Sequence, residues 1–173
     1  MTAVAGATFT AAQFNQYVRD NLNATAPALA TAASQIFVST GINAIAARVP
    51  SSQSVSTAQA SSTSSYLDLA TAGPTITAVT GTIAIVLFAC GVSTATNDTS
   101  CLVSVAVSGA SSVAASDAWA IQMDGITANN VVRYSGVHIF TGLTAGSNTF
   151  TMKYKAGGST STFRNRELNL IPL

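Results

Sequence analysis

The chain has 173 residues and a mass of 17.5 kDa, room for one domain of about 100–150 residues plus an appendage. Only 8% of its residues are charged, against about 25% in an average soluble domain, and seven Lys and Arg oppose six Asp and Glu for a net charge of +1 with a single histidine, His138. That balance excludes a basic stripe for nucleic acid and leaves few titratable groups for acid–base catalysis, while 48% hydrophobic residues and a mean hydropathy of +0.41 exclude disorder.

No membrane span is expected, because the longest apolar run, Ile83 to Val92, is about half of the roughly 20 residues a spanning helix needs. The first residues hold no basic region followed by an apolar stretch, so no secretory signal is expected either. Ser and Thr make up about a quarter of the chain and Ala nearly a fifth. A near-neutral surface with so little charge is sticky unless it is covered, and composition alone therefore points to a structural assembly protein rather than an enzyme.

In chain order, residues 1–7 are small and featureless. Thr8 to Leu22 reads as a short helix, about 10–23, with Thr10 as N-cap and Gln13 completing a capping box. Phe14, Val18 and Leu22 recur at helical spacing with Tyr17 beside them, and Arg19, Asp20, Gln16 and Asn23 take the other side. A helix of this length is marginal alone and must dock on something. Asn23 to Ser34 is rich in Ala and Thr, with Pro27 against helix continuation. Residues 35–39 and 44–49 read as two extended pieces around a Thr40-Gly41-Ile42-Asn43 turn. The uncharged polar run Ser51–Ser65 reads as a linker, placing an extended arm at 1–50, a linker at 51–64 and a folded domain at 65–173.

From Ser65 the periodicity is that of strands, expected at 65–70, 74–79, 82–92, 101–108, 117–123, 131–140, 148–155 and 162–172, most of them separated by Gly, Asn or Asp turns. About eight short strands with no helical period between them predict an all-β, antiparallel β-sandwich or barrel. Phe150, Met152 and Tyr154 alternate with Thr149, Thr151 and Lys153, as in a half-buried strand. Ile83 to Val92 is apolar on both faces, and a neighbouring subunit is the simplest cover for the second one. Ile83, Ile85, Val86, Phe88 and the strand-borne His138 are the expected self-association residues.

Segment Ser61–Gly81, with its Ser/Thr run, Tyr66-Leu-Asp-Leu69, Gly73-Pro74 and alternating Thr and Val, resembles the opening of a β-sandwich domain of virion proteins from phages that infect actinobacteria. Thr10-Ala-Ala-Gln-Phe-Asn-Gln-Tyr-Val-Arg-Asp-Asn-Leu22 is similar to the N-terminal motif of the same proteins, and Ile36–Gly41 with Ala47-Arg-Val-Pro50 resembles a connector of phage tail and fibre proteins. The resemblance implies a homotrimer of tumour-necrosis-factor-like jelly rolls, present in the virion after assembly in the bacterial cytoplasm. It also implies an N-terminal arm that holds the major capsid protein or another virion protein through Phe9, Phe14, Tyr17, Val18, Arg19, Asp20 and Leu22. The absence of shaft repeats favours a capsid decoration protein over a minor tail or short fibre protein that reads the host surface.

Other candidates yield to plainer readings. His138 has no local carboxylate or Cys partner, and a packed or interface histidine is expected. Cys90 and Cys101 flank a hairpin and lie outside any Cys-x-x-Cys pair, and they read as buried free thiols. Asp117, Asp124 and Asn129-Asn130 lack calcium-loop spacing and fit turn chemistry. Trp119 reads as core filler. Arg164, Arg166 and Glu167 form the densest charge cluster and read as a solvated or inter-subunit ion-pair group. No triad, phosphate loop or metal-ligand set is arguable, so no catalytic residue, metal or cofactor is expected. A carbohydrate hydrolase, the remote alternative, needs two facing carboxylates.

Overall fold

The computed structural model describes residues 8, 10–23 and 29–173. They fall into two compact units, Met1–Val49 and Pro50–Leu173.

In the first unit a helical stretch runs through Ala11–Phe14, Asn15–Arg19 and Asp20–Asn23. The expected capping box starts it: Gln13 N donates to Thr10 Oγ1 at 3.2 Å and Thr10 N donates to Gln13 Oε1 at 3.0 Å. The middle segment is π-helical, a wider turn that rotates the residues after it relative to a regular helix. Strands β1 (Ile36–Gly41) and β2 (Ala44–Arg48) form the expected antiparallel hairpin, in register from Ile36↔Arg48 to Gly41↔Ala44. Asn43 supplies the left-handed turn residue, at φ 57°. Among the described residues of this unit none is buried, and Ile42 at the hairpin tip is 96% exposed.

The second unit contains β3 (Ser51–Val55), β4 (Gln59–Ser61), β5 (Thr75–Thr80), β6 (Ile83–Thr94), β7 (Thr99–Gly109), β8 (Ile121–Ile126), β9 (Val132–Thr141), β10 (Gly146–Gly157) and β11 (Ser161–Pro172). One sheet has the order β5-β10-β7-β8 and the other β3-β11-β6-β9, with β4 also paired to β11. All pairs are antiparallel. Leaving β4 aside, the first strand pairs the last (β3 with β11), the second the seventh (β5 with β10), the third the sixth (β6 with β9) and the fourth the fifth (β7 with β8). A folded ribbon of four such pairs, rolled into two sheets, is a jelly roll. The chain is the all-β antiparallel sandwich that its strand pattern predicts.

The core lies between the two sheets. Val103, Val105, Val107, Phe150, Met152 and Tyr154 project from one, and Val86, Phe88, Val92, Phe163, Leu168 and Leu170 from the other. Gly136 on β9 stands opposite Phe88. A Cβ on Gly136 would meet Ile121 Cγ1 at 3.0 Å and the Phe88 ring at 3.4 Å, so the glycine makes room for that ring.

Three expectations change. Residues 51–64 are no linker: β3 and β4 pair with β11 and belong to the sandwich, because a ladder takes its hydrogen bonds from the backbone and an edge strand accepts Ser, Thr and Gln side chains. The strand expected at 65–70 is reduced to a single bridge, Leu67 to Tyr154. The piece expected at 117–123 splits into a 3-10 turn at Asp117–Trp119, capped by Ser116, and β8.

The charge cluster on β11 is also rearranged. The β11–β6 register shifts between Arg164 and Glu167, and Asn165 takes φ 46°. Across this bulge the inward phase passes from Phe163 to Arg166, Leu168 and Leu170, so Arg166 is fully buried rather than in a solvated or inter-subunit ion pair. Arg166 Nη1 donates to the carbonyls of Thr71 at 2.9 Å and Gly73 at 3.0 Å, and Nη2 to that of Thr57 at 3.4 Å. Its guanidinium carbon lies 5.3 Å from the centre of the Tyr154 ring, whose hydroxyl donates to the same Gly73 carbonyl at 2.8 Å. Glu167 instead pairs with Arg133 on the outer face, at 2.9 Å. Arg166→Met is expected to lower the unfolding free energy by about 3 kcal/mol, because buried carbonyls lose a charged donor. Urea denaturation measures it, and a loss below about 1 kcal/mol would mean that the arginine is not holding the 57–73 segment.

Candidate functional site

Strand alternation divides β6 cleanly. Ala84, Val86, Phe88 and Cys90 are buried, whereas Ile83 and Leu87 are exposed and Ile85 and Ala89 half-buried between them. Val86, with no exposed surface, and Phe88, 2% exposed, fill the protomer's own core. They are therefore core rather than the expected self-association residues: the period of two sends them to the opposite face from Ile83 and Ile85.

The outward residues of β6 continue onto its neighbours. The register sets Ile85 opposite Ile139 and Leu87 opposite Val137 on β9, and Ile85 opposite Ile171 on β11. Directly opposed side chains stand about 4.5–5.5 Å apart, so these residues form one aliphatic patch in the middle of the sheet. Val137 is 63% exposed, Ile139 52%, and Ile83 and Leu87 37% each. Leu87, Val137 and Ile139 were not singled out by composition or run length. The signal for them was the alternation of Val137 and Ile139 with His138 and Phe140, readable only once the phase of β9 against β6 was known.

His138 lies on the inward side, opposite Val86. Its ring stacks on Trp119 at 5.0 Å and meets Phe140 edge-on at 4.6 Å, and burial lowers its pKa. A ring engaged in this way within the protomer is not on the aliphatic face, so His138 is a packed histidine rather than the expected self-association residue. Trp119 is half-buried against the core and donates Nε1–H to the Val105 carbonyl at 3.1 Å, in keeping with a core role.

Of the arm residues, Phe14, Tyr17 and Leu22 are exposed and Val18 half-buried. Arg19 and Asp20 pair with each other at 2.9 Å. Phe9 and Pro27 lie outside the described residues. Asp117 is engaged by Lys155 and Tyr66. Among the described residues no group of three or more His, Cys, Asp or Glu converges on a metal position, and no helix is long and apolar enough to cross a membrane.

Neither a family model nor a curated protein matches the chain. Among solved structures, the CBM22-1 xylan-binding domain from Paenibacillus barcinonensis Xyn10C is similar with a TM-score of 0.36 and 10% identity, over 70% of this chain and 86% of that one. The infectious bursal disease virus VP2 subviral particle gives a TM-score of 0.39 and 12% identity, over 79% of this chain and 37% of that one. A structure of the Gt strain of the same virus gives 0.39 and 11%, over 77% and 35%. The chain thus spans little more than a third of those viral chains. Likenesses this distant carry no argument about what the chain does.

Cys90 and Cys101 are buried free thiols. Burial pushes them up to about 12 and about 11, from an ordinary 9.0. The folded state therefore holds these protons more tightly than the unfolded chain does. The resulting stability is present below pH 9 and is lost as pH rises toward 12. A maleimide is expected to label neither thiol of the native protein at about pH 8 and both after unfolding. Stability should fall above pH 9 more gently in Cys90→Ala than in the parent, and equal slopes in urea titrations would overturn the assignment.

Proposed function

We propose that the chain is a virion structural protein: a homotrimeric capsid decoration protein of a bacteriophage, joined to the shell through its N-terminal unit. The observation that carries the assembly part is the aliphatic outer face of the β3-β11-β6-β9 sheet, with Leu87, Val137 and Ile139 at its centre. An exposed apolar patch in the middle of a sheet marks a contact site. Each of these side chains adds about 1 kcal/mol when its exposed part is covered. The charges of this face, the Arg133–Glu167 pair, sit toward the Ala89–Gly91 end of β6, and no charged residue is paired with Ile83, Ile85 or Leu87, as suits the core of an interface.

The N-terminal unit supports the second contact. Its described residues include none that is buried, and an isolated hairpin or a short helix is marginal in water. Docking on another protein supplies the missing apolar cover. Placement in a virion, and on its head, is supported by the resemblance of residues 10–22, 36–50 and 61–81 to phage virion proteins. Many copies bound only to the assembled shell raise its stability by mass action.

Light scattering is expected to report a mass three times the chain's 17.5 kDa. Leu87→Asp or Val137→Asp should yield folded protomers, because the charge points to solvent once the partner is gone. Phe88→Asp should unfold the protomer itself, by burying an unpaired charge. A parent protein that runs as a single chain would overturn the trimer. Deleting residues 1–24 should leave the trimer intact and abolish binding to particles. In a low-resolution particle map, density on the head supports decoration, and density confined to the tail tip means that the chain is a tail or fibre component.

A further inference from the structure

We propose that the outer face of the other sheet carries a binding cleft for a neutral, hydroxyl-rich ligand of the saccharide class. The cleft, of about 460 Å³, is within the roughly 300–1,000 Å³ range of small-molecule sites. Its floor is the centre of the sheet: Lys153 and Lys155 on β10 and Ala106 on β7. These residues point outward because their neighbours Met152, Tyr154 and Val105 are buried.

Backbone hydrogen bonds fix both walls. On one side Leu67 and Tyr154 exchange N–H and C=O at 3.1 Å each way, and Ala156 N donates to the Thr63 carbonyl at 2.8 Å. The Ser64–Tyr66 segment is thereby laid along β10. On the other side Val113 and Val107 exchange a pair of bonds at 2.8 and 2.9 Å. Ser104 Oγ donates to the Ser116 carbonyl at 2.9 Å and accepts from Ser116 N at 3.2 Å. That wall carries only Ala114 and Ala115 into the cleft, and small side chains on wall and floor leave the space open.

The polar groups choose the ligand class. Lys153 Nζ donates to Asp68 Oδ2 at 2.6 Å. Lys155 Nζ donates to both oxygens of Asp117, at 3.0 and 2.8 Å, and Tyr66 Oη donates to Asp117 Oδ1 at 2.8 Å. Two cations and two carboxylates cancel, so the cleft has no net charge to hold an ion. The carboxylates keep 44% and 55% of their side-chain surface in solvent, with lone pairs to spare. A sugar hydroxyl accepts from an ammonium of the lining without breaking either ion pair.

The Tyr66 ring is anchored at its hydroxyl, and Lys155 Nζ lies 5.5 Å from its centre. The ring is thereby fixed as part of the wall, with the ammonium over it. Lys155 first and Tyr66 second hold Asp117 below its ordinary range, so the network stays charged and organised at neutral pH.

The test is titration of the isotope-labelled full chain with cellohexaose, chitohexaose and mannohexaose in parallel, followed by amide NMR. At least one is expected to give saturable shifts confined to residues 64–66, 106, 113–117 and 153–155, at up to about 10 mM as for a single open site. Ala106→Tyr, which fills the floor from an outward-facing position, and Lys153→Met, which removes a donor, should each abolish the shifts and leave the rest of the spectrum unchanged. Three results would overturn the proposal: no shifts with any of the three sugars, shifts that survive both variants, or shifts at this cleft with inorganic phosphate in place of the sugars. All of these readouts are independent of the trimer and of particle binding.

Discussion

A guanidinium closed inside an apolar sandwich has to find its acceptors there, and much of the second unit is arranged around that requirement. Arg166 takes carbonyls from Thr57, Thr71 and Gly73, three points on the segment between β3 and β5. The same Gly73 carbonyl receives the Tyr154 hydroxyl from the opposite sheet. One charged side chain thus ties the first strands of the jelly roll to its last strand and to the centre of β10. Breaking such a set leaves buried carbonyls unpaired, which costs more than the bonds contribute when formed. Arg166 shares the inward phase of Leu168 and Leu170, and the bulge at Arg164–Glu167 is the device that lets Phe163, on its other side, face the same core.

That arrangement explains which parts of the fold were legible beforehand. Strands with one apolar and one polar phase, such as β10 with Phe150, Met152 and Tyr154 inward, declare both their existence and their orientation. The stretch 51–64 does neither. Its strands are held by backbone pairing with β11 and its carbonyl at Thr57 serves Arg166, so its Ser, Thr and Gln side chains look like those of a linker. Composition reports what side chains do, and here the backbone carries the structure. Arg166 escapes composition for a related reason: it shares the inward phase of Leu168 and Leu170, but its residue type is that of a solvated side chain.

The candidate site was half legible. A run that is apolar on both phases told that β6 has an apolar outer face, yet with both phases apolar it could not say which residues belong to it. Val86 and Phe88, expected at the interface, are core, and Leu87 takes the outer face. Only pairing with β9 settles the matter: Phe140 is buried at its end of the strand, which sets Val137 and Ile139 outward. His138, drawn toward the interface by its apolar neighbours, turns inward for the same reason and stacks on Trp119.

The low charge content acquires a different meaning on each surface. Where β5 meets β10, hydroxyls replace charge, and the ion pairs of Lys153 and Lys155 lie further along β10: Thr77 and Thr149 share a hydrogen bond at 2.8 Å, and Thr75 donates to Thr151 at 3.3 Å. Cross-strand threonine pairs favour strand structure and keep a face wet without carrying charge. On the other sheet aliphatic side chains occupy the same outward positions, and water is a poor solvent for them. The N-terminal unit is a third case, with a well-formed capping box at its start and no buried residue among those described. Local hydrogen bonds alone do not stabilise so short a helix. If its order is completed on a partner, the ordering cost of about 2–5 kcal/mol is met at docking. On the proposed trimer three arms would bind with an effective concentration that a single arm lacks, so self-association through the aliphatic sheet face would make a weak arm contact sufficient.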